Sequence, residues 1–246
     1  ARGWWVELTQ YAPQVCQAGG NQQQGDCMKT LTRHPARYTD ALLPIFAQIV
    51  PTYSRGLDPF GGTGKIFEIE KYVEGVEIEC VEIEPEWADY DNRITVGDAL
   101  ALPWGDGYFD WICTSPTYGN RMADHHEARD CSKRNTYRHA LNRPLHPANA
   151  GQLQYGTEYQ KLHRSAWAEA WRVLRPGGLF VLNIKDHIRR GERVNVTQFH
   201  EEALRSVGFT WLGSEQVKCP GNRFGQNGGA RIEYETVAWF QKPERK

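Results

Sequence analysis

Apolar positions between residues 34 and 51 (Tyr38, Ala41, Leu42, Ile45, Phe46, Ile49) recur at helical spacing and predict a helix there. A short strand then ends at Leu57, a glycine-rich turn follows, and a second helix starts near Lys65. Cys80-Val81-Glu82-Ile83 reads as a strand, Glu86 as the opening of the next helix, and residues 108–113 as a further strand. The clearest amphipathic stripe (Tyr159, Leu162, Ala166, Trp167, Ala170, Trp171, Leu174) follows Thr157, which suits an N-cap. Arg175-Pro176-Gly177-Gly178 is expected to stop that helix, glycine supplying a left-handed cap. Residues 179–184 have the composition of a buried strand, and a helix near residues 198–207 ends at Gly208. Strands near residues 209–217 and 235–241 are expected to pair antiparallel at the end of the chain. This alternation predicts an α/β fold, a doubly wound sheet closed by a C-terminal antiparallel hairpin.

Two stretches break the alternation. Residues 1–33 are rich in Gln and Gly around a Trp4-Trp5 pair, which reads as an N-terminal arm. Residues 119–156 are polar, rich in His, Arg and Asn, and too long for an ordinary loop. The expected organisation is therefore an arm (1–33) and one domain (34–246) carrying an insertion at about 119–156.

The chain has 246 residues and a formal net charge of −1. That length supports one large core without a metal or disulfide staple. The near-neutral charge provides no global field for nucleic acid, so such a partner would have to be held by local patches. No run of about 18 apolar residues is present, so no membrane partner is expected. The N-terminal residues carry no secretory pattern, and the six cysteines are scattered without a C-x-x-C pair, which suits reduced thiols and a cytoplasmic protein.

Asp58-Pro59-Phe60-Gly61-Gly62-Thr63-Gly64 places a small-residue turn between a strand and a helix, where open α/β sheets bind ligands. A phosphate-binding P-loop fails, because Pro59 stands at its first glycine and Ile66 where a Ser or Thr belongs. A dinucleotide fingerprint is absent. Glu82 lies 24 residues after Asp58, at the end of the next strand, and can accept hydrogen bonds from both hydroxyls of a ribose. Asp98 follows the next apolar stretch and can accept from an adenine amino group. Each acid alone suits a helix cap or a solvated loop; the three in this order suit a nucleoside.

The glycine loop, together with Thr114-Ser115-Pro116-Thr117-Tyr118-Gly119-Asn120-Arg121, resembles the amino-group DNA methyltransferases of the N4-cytosine and N6-adenine type. These are marked by D-P-F-x-G-x-G and [S/D/N]-P-P-[Y/F], and the resemblance runs from about His34 to the end. It implies a Rossmann-like class I methyltransferase sheet and S-adenosyl-L-methionine as cofactor. It assigns cofactor contacts to Thr39, Asp58, Pro59, Phe60, Gly61, Gly62, Gly64, Glu82, Ile83, Asp98, Ala99 and Thr114. It also implies a catalytic tetrapeptide, Ser115, Pro116, Thr117 and Tyr118. The Ser115 side chain and Pro116 carbonyl would accept the hydrogens of an exocyclic amine whose lone pair is otherwise delocalised into the base. Tyr118 would stack on that base once it is flipped from double-stranded DNA. A serine in first position goes more often with cytosine. Thr117 departs from the family's second proline and loses the stiffening a proline would give. A C5-cytosine enzyme needs a Pro-Cys nucleophile, and Cys219-Pro220 has the reverse order.

Between residues 119 and 164, eight Lys/Arg stand against four Asp/Glu, with Tyr137, Tyr155 and Tyr159 interleaved. Such a mixture suits phosphate contacts and base stacking, or simply a solvated insertion. Asn120, Arg121 and Tyr137 are the substrate candidates there, and Arg223 and Arg231 in the loop before the last strand are a second set. His125, His126, Cys131, His139 and His146 have no firm ligand spacing, so no metal is expected. The alternatives left open are an RNA or protein-glutamine methyltransferase, and a cofactor-binding protein of the same fold without transfer activity.

Overall fold

The computed structural model describes residues 34–35, 40–119, 136–219 and 228–244. The arm, and with it Thr39, Asn120, Arg121 and Arg223, lies outside the described residues, as do His125, His126 and Cys131.

One sheet holds seven strands: β1 (Arg55–Asp58), β2 (Glu77–Glu82), β3 (Ile94–Val96), β4 (Phe109–Thr114), β5 (Leu174–Ile184), β8 (Thr210–Lys218) and β9 (Tyr234–Gln241). Their order is β3-β2-β1-β4-β5-β9-β8, while β6 (His187–Arg189) and β7 (Glu192–Val194) form a separate hairpin. The first five strands pair in parallel and the last two antiparallel, as the alternation implied. Strand order reverses direction between β1 and β4, which opens a crevice at the carboxyl edge of the sheet.

The period-2 pattern of β5 divides the core. Phe180, Leu182 and Ile184 face α4 (Thr157–Val173) and α5 (Val196–Val207), while Val181 faces α1 (Leu43–Ile49) and a 3₁₀ helix (Lys65–Lys71). Each of these fully buried side chains contributes about 1.5–3 kcal/mol. Gly56 leaves the space that the Trp111 ring occupies, since a Cβ there would lie 2.1 Å from it.

Several expected boundaries move. Only Leu43–Ile49 of the first stretch is α-helical, the segment after Gly64 is 3₁₀, and α2 (Pro85–Ala88) is a single turn. Gly156, not Thr157, is the N-cap of α4. The largest correction concerns Arg175-Pro176-Gly177-Gly178. Helix α4 ends at Val173, Leu174 is already extended, and β5 runs through the tetrapeptide as a bulge against β4. Gly177, at φ 76, supplies the left-handed residue of that bulge instead of a helix cap. The orphan carbonyls of the helix end are met by a side chain: Lys242 Nζ donates to Trp171 O at 2.6 Å and Leu174 O at 2.7 Å.

Candidate active site at the carboxyl edge of the sheet

The strand order sets the order of the site. Asp98 follows β3, Glu82 ends β2, Asp58 ends β1, Ser115 follows β4 and Glu235 stands second in β9. All five line one cavity of about 290 Å³.

At the glycine-loop end, the carboxylates are already engaged by the chain. Asp58 Oδ1 accepts from Phe60 N (3.0 Å) and Thr114 Oγ1 (2.7 Å), tying the glycine loop to the start of the tetrapeptide. Glu82 Oε2 accepts from Gly62 N (3.0 Å) and its Oε1 from Glu84 N (2.9 Å). Burial pushes the Glu82 carboxyl up to about 7 despite those bonds. Asp98 Oδ1 accepts from Leu100 N (2.9 Å), forming a local turn. Gly61 is packed so closely that a Cβ would lie 2.6 Å from that of Cys80. Phe60 stacks on His163 with its centroid at 5.8 Å, and Lys65 is held by Asp40 (2.7 Å) and Glu68 (2.6 Å).

The described part of the insertion packs over this end. Tyr137, at the start of α3 (Tyr137–Leu141), is buried against Trp87 and His34, both of which line the cavity with it. Glu84 anchors the segment. It is fully buried, pairs with Arg143 Nη2 (2.7 Å), and accepts from His146 N (2.8 Å) and Asn149 Nδ2 (2.7 Å).

The tetrapeptide end is organised by Asn183, a buried polar residue at the carboxyl end of β5, after the apolar run Leu179–Leu182. One hydrogen of its Nδ2 goes to Glu235 Oε2 (2.7 Å) and the other is shared between Tyr118 Oη (3.0 Å) and Ser115 Oγ (3.1 Å), the two hydroxyls lying 2.9 Å apart. The ionised carboxylate fixes which way the amide points, because an amide oxygen there would face another acceptor. Ser115 keeps a lone pair for a ligand when its own hydrogen goes to Tyr118. Burial, then the charge of Glu235, holds the Tyr118 phenol well above its ordinary range, so it stays a neutral hydroxyl.

Thr117 is held from behind. Tyr159 Oη donates to the Thr117 carbonyl at 2.7 Å and lies 2.8 Å from His200 Nε2, while Trp167 Nε1 donates to His200 Nδ1 at 3.1 Å. The indole donor makes Nδ1 an acceptor, so Nε2 carries the hydrogen and the chain of bonds runs one way to Thr117. Burial pushes His200 well below the usual histidine range and keeps it neutral. Gly119 closes the tetrapeptide at φ 63; a Cβ there would lie 2.7 Å from Tyr155 N. The Thr117 hydroxyl and Asn183 Oδ1 are buried without a hydrogen-bond partner among the described residues.

The expected residues Asp58, Pro59, Phe60, Gly61, Gly62, Glu82, Ile83, Asp98, Ala99, Ser115, Pro116, Thr117, Tyr118 and Tyr137 thus share one cavity. Thr114 is buried beside it on Asp58, Gly64 (φ 75) shapes the turn behind it, and Arg231 is exposed away from it. Glu235, Asn183 and the hydrogen-bond chain that His200 links to Thr117 were missed. The one sequence signal for them was Asn183, a polar residue interrupting an apolar strand.

No protein-family model matches the chain, and no curated protein matches it in sequence. Solved structures match in three dimensions. A SAM-dependent methyltransferase from Methanosarcina mazei has a TM-score of 0.53 at 14% identity, over 82% of this chain and 98% of that one. The fold is that of the class I methyltransferases. The PH0226 protein of Pyrococcus horikoshii (TM-score 0.50, 18% identity, 82% of this chain and 88% of that one) shares it. So does the cyclase SpnF (TM-score 0.51, 17% identity, 83% and 81%). A cyclase on this fold makes the point that reaction follows from the site and not from the sheet.

Proposed function

We propose that the chain transfers a methyl group from S-adenosylmethionine to the exocyclic amino nitrogen of a DNA base, cytosine N4 in preference to adenine N6. The observation that carries this reading is the surplus of hydrogen-bond acceptors around Ser115, in the same cavity as the acids of the glycine loop. The groups left over there are the Thr117 hydroxyl and a Glu235 oxygen, which suit a ligand that donates.

The glycine-loop end suits a nucleoside-bearing cofactor. Glu82 retains lone pairs beyond its two backbone bonds and gains from hydroxyl donors, while Asp98 and Ala99 line the wall beyond it. When bound, S-adenosylmethionine supplies an electrophilic methyl group on a sulfonium. The residues of the chain then have three tasks. Ser115 Oγ and the Pro116 carbonyl draw the amine's hydrogens out of the base plane and return its lone pair to nitrogen. Tyr118 offers a ring face to the base, with its hydroxyl fixed by Asn183. Tyr159, by holding the Thr117 carbonyl, provides the stiffness that a second proline gives in related tetrapeptides. Transfer is then governed by positioning: the N–C bond would form as the sulfonium S–CH3 bond breaks, and the methylated nitrogen would release one hydrogen as a proton to solvent. The choice of DNA rests on the paired motifs, and that of cytosine on the serine in first position.

Incubating the protein with methyl-labelled cofactor and, separately, DNA, RNA and protein tests the reading. Label is expected in DNA, at a base amino group. Label in RNA or protein alone would contradict the substrate, and cofactor binding without label anywhere would contradict transfer.

A further inference from the structure

Glu235 is the second residue of β9, the last strand along the chain, and lines the tetrapeptide end of the cavity. Asn183 Nδ2 donates both to its Oε2 (2.7 Å) and to Ser115 Oγ (3.1 Å), so the carboxylate and the serine hydroxyl sit side by side on one nitrogen. Its Oε1 receives no hydrogen bond from a described residue, and no described lysine or arginine pairs with it. The tetrapeptide end therefore carries a fixed, acceptor-only charge next to the group that would take a hydrogen from the target amine.

We propose, on the reading that this site methylates an exocyclic amine, that Glu235 determines the base: it admits cytosine and rejects adenine. The flanks of the two amino groups differ. In cytosine the amine lies between the N3 lone pair and the C5–H bond, so one side carries no lone pair. In adenine it lies between N1 and N7, and both present acceptors. A carboxylate beside Ser115 faces the C5–H of cytosine without conflict and can accept from the amine itself, a pairing that carboxylates make with cytosine N4. Beside adenine it faces a ring lone pair in either orientation. Neither group can donate, so the carboxylate and the ring lone pair repel. Specificity by repulsion needs only that the charge be held in place, and Asn183 holds it.

The test compares the native protein with Glu235→Gln on unmethylated genomic DNA, with N4-methylcytosine and N6-methyladenine quantified by mass spectrometry of the nucleosides. Glutamine keeps the shape and can turn its N–H toward a ring nitrogen. The native protein is expected to make N4-methylcytosine, and Glu235→Gln to lower the ratio of N4-methylcytosine to N6-methyladenine by about tenfold to a hundredfold. Cofactor affinity should be unchanged. Glu235→Asp keeps the charge and should keep the base preference. An unchanged ratio in Glu235→Gln, or N6-methyladenine as the native product, would overturn the inference and leave amino methylation standing. Methylation of neither base by the native protein would overturn the proposed function, and this inference with it.

Discussion

The two ends of the cavity treat their polar groups differently. At the glycine-loop end, Glu82, Asp58 and Asp98 each accept hydrogen bonds from the chain itself; the unmet buried atoms there, among the described residues, are Trp87 Nε1, a donor, and His163 Nε2, behind Phe60. At the tetrapeptide end, the unmet buried atoms among the described residues are Asn183 Oδ1, which can only accept, and the Thr117 hydroxyl, which can both accept and donate; half-buried Glu235 adds an Oε1 with no described donor. An unmet buried polar group costs about 1–3 kcal/mol, so a fold keeps such groups where a ligand will meet them. The carboxylates of one end are held by the chain itself; at the other, acceptors beside Ser115 remain for something that donates.

Removing the central acceptor breaks this contrast most sharply. Ser115→Ala should lower the transfer rate by about a hundredfold or more while leaving cofactor affinity intact, because its partners belong to the other end. Equal loss of both, measured by single-turnover kinetics and calorimetry, would show that the two ends do not act separately.

The next effect follows from Glu82. Its folded value of about 7 lies above the ordinary 4.5, so between those pH values the native protein keeps a proton that the unfolded chain has lost. Ligand-free stability should therefore fall as pH rises from 4.5 to 7 and level off above. Cofactor affinity should run the other way. Hydroxyl donors favour the ionised carboxylate, so affinity should weaken by up to about tenfold per unit as pH falls below 7. Glu82→Gln should flatten both profiles, as thermal melts and titrations across that range would reveal.

Smaller effects test the supports of each end. Tyr159→Phe removes the donor to the Thr117 carbonyl and should slow transfer by about tenfold without changing cofactor affinity, since a single hydrogen bond is at stake. Thr117→Pro in that background should restore part of the rate. Arg143→Ala leaves buried Glu84 with neutral donors only. It should lower the melting temperature by several degrees, with the loss read by differential scanning calorimetry.

What the sequence made legible was local. Asp58, Glu82 and Asp98 fall at strand ends, and the parallel sheet turns their spacing along the chain into adjacency in space. Ser115 and Tyr118 lie on one short turn. What stayed hidden depends on long-range pairing. Glu235 reaches Ser115 only because β9 lies antiparallel beside β5, and nothing near residue 235 announces that register. Tyr159 and Trp167 were legible as an apolar stripe, which they are, but their hydroxyl and indole N–H find His200 across the helix pair. The Arg175-Pro176-Gly177-Gly178 misreading has the same root. Pro-Gly-Gly suits a helix stop or a bulge equally, and the choice was made by Lys242 and the neighbouring strands.

The central claim is methylation of a base amino group, and the nucleosides of DNA from cells expressing the chain test it most directly. Mass spectrometry should find N4-methylcytosine with the native sequence and none with Ser115→Ala. DNA without any amino-methylated base, from cells in which the folded protein accumulates and binds its cofactor, would contradict the account.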